Sequence, residues 1–254
     1  MKNLPKIVFA AFFFFSAGVS AQEEEVIIAP IETDRPDQTE SPSIVPKGMF
    51  QMETGFEYEQ ARADEKAIVS PTTLLKYGIN ENFELRLITE YSTYEIADEK
   101  ISGLNPIKIG VKIKMLDEKG IIPKTSFIGH LLIPDLASSD FKADYYAAEF
   151  RFTMQHSLSD KLKLGYNLGA EWDGFTPEPT FIYALTGGYS FTDKFGGYVE
   201  LYGFAPQNEK ADHRFDGGFT YLVSNNFMID ASGGFGITEN APDYFISAGF
   251  SFRI

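Results

Sequence analysis

Three histidines, His130, His156 and His213, are the only imidazoles this chain offers for acid–base chemistry. A nucleophilic serine needs a histidine close enough to take its proton. His156 is followed directly by Ser157, but neighbouring residues of an extended chain point to opposite sides. Glu171 and Asp173 share one parity and could act as paired carboxylates, yet two solvated charges explain them as well. No two histidines stand at the short spacing of a metal site, and there is no cysteine, so thiolate metal sites, disulfides and thiol catalysis are excluded. The pairs Gly217-Gly218 and Gly233-Gly234 are not followed by a helix that could cradle phosphate. No catalytic residue, metal or cofactor is expected.

What remains is a large set of charges spaced in twos. Glu53, Glu57, Arg86, Lys108, Lys112, Glu149, Arg151, Glu171, Glu200, Asp216, Asp230 and Arg253 fall on one parity of their segments. The other parity collects Phe56, Leu85, Leu87, Ile109, Val111, Phe152, Leu168, Leu185, Phe219 and Ile229. The closing segment repeats the rule, with Tyr244, Ile246, Ala248, Phe250, Phe252 and Ile254 opposite Phe245, Ser247, Gly249, Ser251 and Arg253. A period of two is the strand period. An apolar face free of charge, opposite a polar face, is what a membrane β-barrel needs: lipid outside, a polar lumen within. A soluble sandwich alternates too. However, Phe83 and Tyr91, Phe181 and Tyr189, and Phe227 and Phe235 bracket their strands as interfacial girdles do.

The segments number about twelve, from 49–59 to 243–254, with a fourth at 104–116, and predict an all-β fold: a transmembrane antiparallel meander barrel. Tight polar turns such as Asn80-Glu-Asn82 and Ser224-Asn-Asn226 follow the even strands, and mostly longer connections such as 134–143 and 205–212 follow the odd ones. That asymmetry places the short turns on the periplasmic side. The charged parity predicts a mixed-charge aqueous passage, or else groups that pair across the interior and fill it. Inward glycines, Gly55, Gly78, Gly110, Gly165, Gly169, Gly188 and Gly218, leave side chains out of that interior.

Residues 1–21 read as a secretory signal: Lys2 and Lys6, an apolar run from Ile7 to Phe15, and a small-residue cleavage site at Val19-Ser-Ala21. The run is too short for a membrane helix, which needs about 20 apolar residues. A net charge of −14, more negative once those lysines are removed, argues against nucleic acid as a partner. Residues 22–47 form a polar extension broken by Pro30, Pro36, Pro42 and Pro46, which cannot serve as a central strand. Its Asp34, Arg35 and Asp37 either fold back into the barrel mouth as a plug or constriction, or belong to a solvated periplasmic leader. Residues 48–254 form the barrel.

Thr33-Asp-Arg-Pro-Asp-Gln-Thr-Glu-Ser-Pro42, followed by Val45-Pro-Lys-Gly48 and Phe50-Gln-Met-Glu-Thr-Gly-Phe-Glu-Tyr58, resembles the opening of the outer-membrane proteins grouped as "putative MetA-pathway of phenol degradation", found notably in Bacteroidota. Leu75-Lys-Tyr-Gly-Ile79, Asn82-Phe-Glu-Leu-Arg86 and Ile109-Gly-Val-Lys112 continue the likeness. The resemblance implies an outer-membrane barrel that moves small hydrophobic or aromatic compounds, with no catalytic residues to carry over. The expected function is therefore a passive pore or transporter for small molecules in the outer membrane. Its partners are outer-membrane lipid, an unidentified solute and, during insertion, the barrel-assembly machinery. The alternatives are a structural or binding barrel with an occluded lumen and, further off, a lipid-hydrolysing barrel, whose His-x-Ser spacing is absent here. Arginine at Leu87 or Val111 is expected to impair insertion, and arginine at Thr186 or Ser247, on the lumen parity, to be tolerated.

Overall fold

The computed structural model describes residues 28–254. The expected signal, 1–21, lies outside the described residues, as does the first part of the extension.

Thirteen strands follow one another: β1 (Phe50–Arg62), β2 (Glu65–Asn80), β3 (Phe83–Ile96), β4 (Glu99–Leu104), β5 (Ile107–Leu116), β6 (Lys124–Ile133), β7 (Ala147–Ser157), β8 (Leu162–Glu171), β9 (Thr180–Ser190), β10 (Phe195–Pro206), β11 (Asp212–Ser224), β12 (Phe227–Gly236) and β13 (Tyr244–Arg253). The pairing is an antiparallel meander, and β1 meets β13 from Gln51↔Arg253 to Gln60↔Tyr244. The sheet therefore closes on itself and leaves no free edge. It is a barrel of twelve wall positions with one strand to spare.

The extra strand comes from the fourth position. The strand expected over 104–116 is β5, and the residues before it, expected as a connection, form β4, set end to end with β5 along β3. The first half of β3 pairs with β5, Phe83↔Ile113 to Ile88↔Lys108, and the second half with β4, Tyr91↔Leu104 to Ile96↔Glu99. The break falls at Asn105-Pro106, where proline has no N–H for the ladder. Glu99-Lys-Ile-Ser-Gly-Leu104 has no clean alternation, so its strand character was not visible in its residue types. Consequently the β1–β2 and β3–β4 hairpins are tight, joined by Ala63-Asp64 and Ala97-Asp98, whereas the other connections at that end are long.

The outer face carries Phe56, Leu85, Ile109, Leu168, Phe219 and Ile246, all exposed. The fully buried set is polar instead: Lys112, Gln51, Glu53, Glu84, Glu200 and Asn167 are among the largest side chains with no exposure to speak of. This inversion of the usual globular order leaves an apolar belt around a closed sheet. Water would not tolerate a belt of that extent, but lipid requires it. No helix among the described residues is long and apolar enough to cross a membrane.

Candidate functional site

The buried polar groups are held by one another and by residues 28–47, which lie inside the barrel. Each strand presents its inward residues at alternate positions, and register sets them side by side: Lys76 beside Arg86, Glu84 beside Lys112, His130 beside Glu149, and Glu200 beside Asp216. The internal segment meets this lining along its whole course. Near the short-turn end, the Ala29 carbonyl accepts a bond from Arg253 at 2.6 Å, and Ile31 N–H donates to the Asn225 carbonyl. Beyond that it rises to Arg35, crosses to Glu200 and Asn167 at residues 38–40, and returns past Ser126 and Glu84. It bridges Gly78 at Lys47 and enters β1.

With its prolines and without a ladder, this segment has backbone N–H groups that the wall must satisfy. Wall carboxylates do so. Glu53 accepts from Asp34 N–H and Arg35 N–H at 2.8 and 2.9 Å, Glu200 from Gln38 and Thr39 N–H at 2.8 Å each, and Glu84 from Val45 N–H at 2.8 Å. Asn167 takes Glu40 N–H and returns a bond to its carbonyl.

Charge pairs fix the side chains. The Asp34 carboxylate is surrounded by Lys76 from β2 at 3.0 Å, Arg86 from β3 at 2.9 Å and Lys112 from β5 at 2.9 Å, and it accepts Ser41 N–H, closing the loop on itself. Burial pushes this carboxyl up, but Lys112, Lys76 and Arg86 outweigh it and hold it well below the usual carboxylate range. Arg86 also binds Glu40 and Glu84. Arg35 reaches Asp230 at 2.9 Å and Ser247 at 3.1 Å. Arg151 pairs with Glu149, which also takes Lys108 at 2.9 Å, and reaches the Gln38 carbonyl.

All twelve charges of the lumen parity point inward. Glu53, Arg86, Lys112, Arg151, Glu200, Asp230 and Arg253 bond the internal segment directly. Lys108 and Glu149 bond each other and Asp216 accepts from Tyr198, while Glu57 and Glu171 stand half-buried toward the long-loop end. Asp34 and Arg35 are anchors. Asp37 is held otherwise: burial, then Glu200 and Asp216, push its carboxyl well above the usual range. Lys76, Glu40 and His130 also belong to the network and were missing from the candidate set. Lys76 carried the same signal as the others, a charge between the outward residues Leu75 and Tyr77.

The inward glycines take a different meaning. Gly55 and Gly249 face each other across β1 and β13. A Cβ on Gly55 would stand 2.5 Å from Arg35 Cζ, and one on Gly249 2.6 Å from Arg35 Nε. Gly78 is covered by Val45 and Pro46 in the same way. These positions make room for the segment rather than for solvent. Gly55→Leu, whose Cβ would meet Arg35 side-chain atoms first, should therefore push the guanidinium off Asp230, losing about 1.5–3 kcal/mol of charged hydrogen bonding. Faster proteolysis between Ala29 and Lys47 in the refolded barrel is the expected sign. Gly187→Ala, where a Cβ meets nothing within 4 Å, should leave that rate unchanged.

Space remains on the opposite wall. A cavity of about 370 Å³ lies between the internal segment and β8–β11, lined by Thr33, Asp37, Lys163, Gly188, Gly197 and Tyr198. A narrower one of about 150 Å³ shares Asp37, Lys163, Gly188 and Tyr198 and reaches Thr39, Gly165 and Thr186.

The family model described as "Putative MetA-pathway of phenol degradation" matches residues 33–254. No curated protein matches the sequence. Among solved structures, the chain is similar to an outer membrane channel from Pseudomonas putida F1, with a TM-score of 0.69 and 12% identity over 86% of this chain and 99% of that one. It is similar to the NanC porin with a TM-score of 0.55 and 10% identity, covering 81% and 100% of the two chains. For the CymD monoaromatic hydrocarbon channel the TM-score is 0.50 with 10% identity, covering 82% and 88%. At such identities the likeness is one of fold.

Proposed function

This chain belongs to the family described as "Putative MetA-pathway of phenol degradation", and on that footing we propose that it is an outer-membrane barrel through which small molecules pass passively. The observation that carries this reading is the eccentric space beside the internal segment. Residues 28–47 bond β1–β3, β5, β12 and β13 and, through Ser126, Arg151, Asn167 and Glu200, also β6–β8 and β10. Cavities nevertheless remain beside them along the glycine-bearing wall of β8–β11. The short-turn end is periplasmic, and residues 28–47 form the constriction that narrows the passage.

Hydrophobic or aromatic compounds are the solute class that the residues support. Toward the long-loop end, the inward face of β9, β10 and β13 is apolar, with Ala184, Tyr202 and Phe245 packed together against Phe204. Aromatic solutes find stacking partners there. A similar fold belongs to a channel named for monoaromatic hydrocarbons.

An enzymatic role has no support in the geometry. His130 is buried between Arg86 and Glu149, His156 stacks on Tyr166, and His213 meets Tyr183. None of the three bonds a serine hydroxyl among the described residues. The competing reading, a barrel that is structurally closed, rests on the number of bonds anchoring the segment.

Single-channel recording in a planar bilayer separates the two. The mature chain should give small, discrete openings, and deletion of residues 22–47 should give larger ones. A mature chain that inserts silently, and a deletion that conducts, would identify a closed barrel.

A further inference from the structure

Most buried carboxylates inside this barrel have a cation of their own. Asp34 has three, Glu84 and Glu40 share Arg86, Glu53 has Lys76, Glu149 has Lys108 and Arg151, and Asp230 has Arg35. Three carboxylates beside the cavities have none among the described residues. Glu200 on β10 and Asp216 on β11 stand directly opposite in register, and Asp37 of the internal segment lies against both.

No cation contacts these three; they meet neutral groups and, in the case of Glu200 and Asp216, each other. Glu200 takes Gln38 N–H, Thr39 N–H and the Thr39 hydroxyl. Asp216 Oδ2 accepts the Tyr198 hydroxyl at 2.9 Å. Its Oδ1 has no partner, although the residue is only 2% exposed. Asp37 and Tyr198 line both the wider and the narrower cavity, so Asp37 stands where the space contracts, with Glu200 and Asp216 buried behind it. The basic groups around the same space are committed or peripheral: Lys163 pairs with Glu32 at 3.0 Å, Arg35 with Asp230 at 2.9 Å, and Lys194 sits in the turn at the rim.

We infer that Asp37, Glu200 and Asp216 form the charge filter of the passage, so that small cations cross in preference to anions. The inference rests on the passage proposed above. An unmatched carboxylate cluster in a narrow, low-dielectric channel concentrates cations and repels anions. With Lys163 and Arg35 already neutralised, nothing nearby cancels its field.

The test is the reversal potential of the mature chain in a potassium chloride gradient at pH 8, chosen to favour ionisation of Asp37, which burial and then its acidic neighbours raise. A potassium-to-chloride permeability ratio of about 5 or more is expected. Asp37→Asn and Asp216→Asn should each lower that ratio at least about twofold. If Asp216→Asn fails to fold by heat-modifiable electrophoretic mobility, Asp37→Asn, outside the barrel wall, decides alone. A wild-type ratio near or below 1, or a ratio untouched by both changes, overturns the filter while leaving the passage. Insertion without any conductance overturns both.

Discussion

Replacing Asp34 by alanine should loosen residues 28–47 from the lumen wall and raise the conductance several-fold. The carboxylate is 6% exposed and answers three cations that are themselves buried, Lys76, Arg86 and Lys112. After its removal Arg86 retains Glu40 and Glu84, and Lys76 retains Glu53. Lys112, with no exposure at all, keeps as a bonded partner only the Ser41 carbonyl, 2.8 Å away, with Glu84 unbonded on the neighbouring strand. Stranding a buried charge in this way costs about 3–5 kcal/mol. The loop also loses the bond from Ser41 N–H that closes it.

Water can relieve the stranded ammonium only by entering where the segment now sits, so the cost is expressed as displacement of the segment. The measurements are open-channel conductance and the rate of proteolysis between Ala29 and Lys47, and no change in either would remove Asp34 as the anchor. The pH dependence has a definite sign. Asp34 is depressed in the folded state, so its contribution is fully present above the unfolded value of about 4 and is lost only as pH falls through the lower folded value. As far as Asp34 governs it, docking should be constant from about pH 8 to pH 5.

How far this could be read from residue types alone depends on what kind of information each feature needed. The barrel was legible because the two faces obey a period that any strand imposes, and lipid tolerates no exceptions on one of them. The same parity placed Glu53, Arg86, Lys112 and Glu200 inward without revealing what they face. Their partners are 18 to 162 positions distant, as in Arg35 with Glu53 and Gln38 with Glu200, and no local pattern encodes such a distance. The acidic and basic residues of Thr33–Pro42 marked that stretch as a candidate plug, but a solvated leader has the same composition. Glycine was the least transparent signal. A missing side chain reads as open space, whereas Gly55 and Gly249 together are the negative imprint of the Arg35 guanidinium. The strand expected over 104–116 reads through the proline at 106, and the strand that precedes it, β4, depends on pairing with β3 and not on its own alternation.

Arginine at Leu87 or Val111 should abolish efficient insertion, whereas arginine at Ser247 should insert and then disturb the internal segment. Leu87 and Val111 belong to the outward parity of β3 and β5, where Leu87 pairs with Ile109 and Leu85 with Val111. A guanidinium near the bilayer midplane costs about 2–4 kcal/mol in a barrel, enough to shift a folding equilibrium by a factor of ~30 or more. Ser247 carries its side chain into the lumen, so it meets no lipid. The simple expectation of tolerance there nevertheless fails, because that volume is filled: Ser247 Oγ already accepts a bond from Arg35, and Asp230 already holds the same guanidinium. An arginine at 247 competes with Arg35 for one carboxylate in a space cut to fit one guanidinium by Gly55 and Gly249. The two classes of substitution therefore separate by readout. Outward arginine lowers the heat-modifiable folded fraction in vesicles; inward arginine leaves that fraction intact and accelerates cleavage between Ala29 and Lys47. Leu87→Arg and Val111→Arg barrels that fold as well as the wild type would reverse the assignment of faces, and with it the placement of every charge described inside.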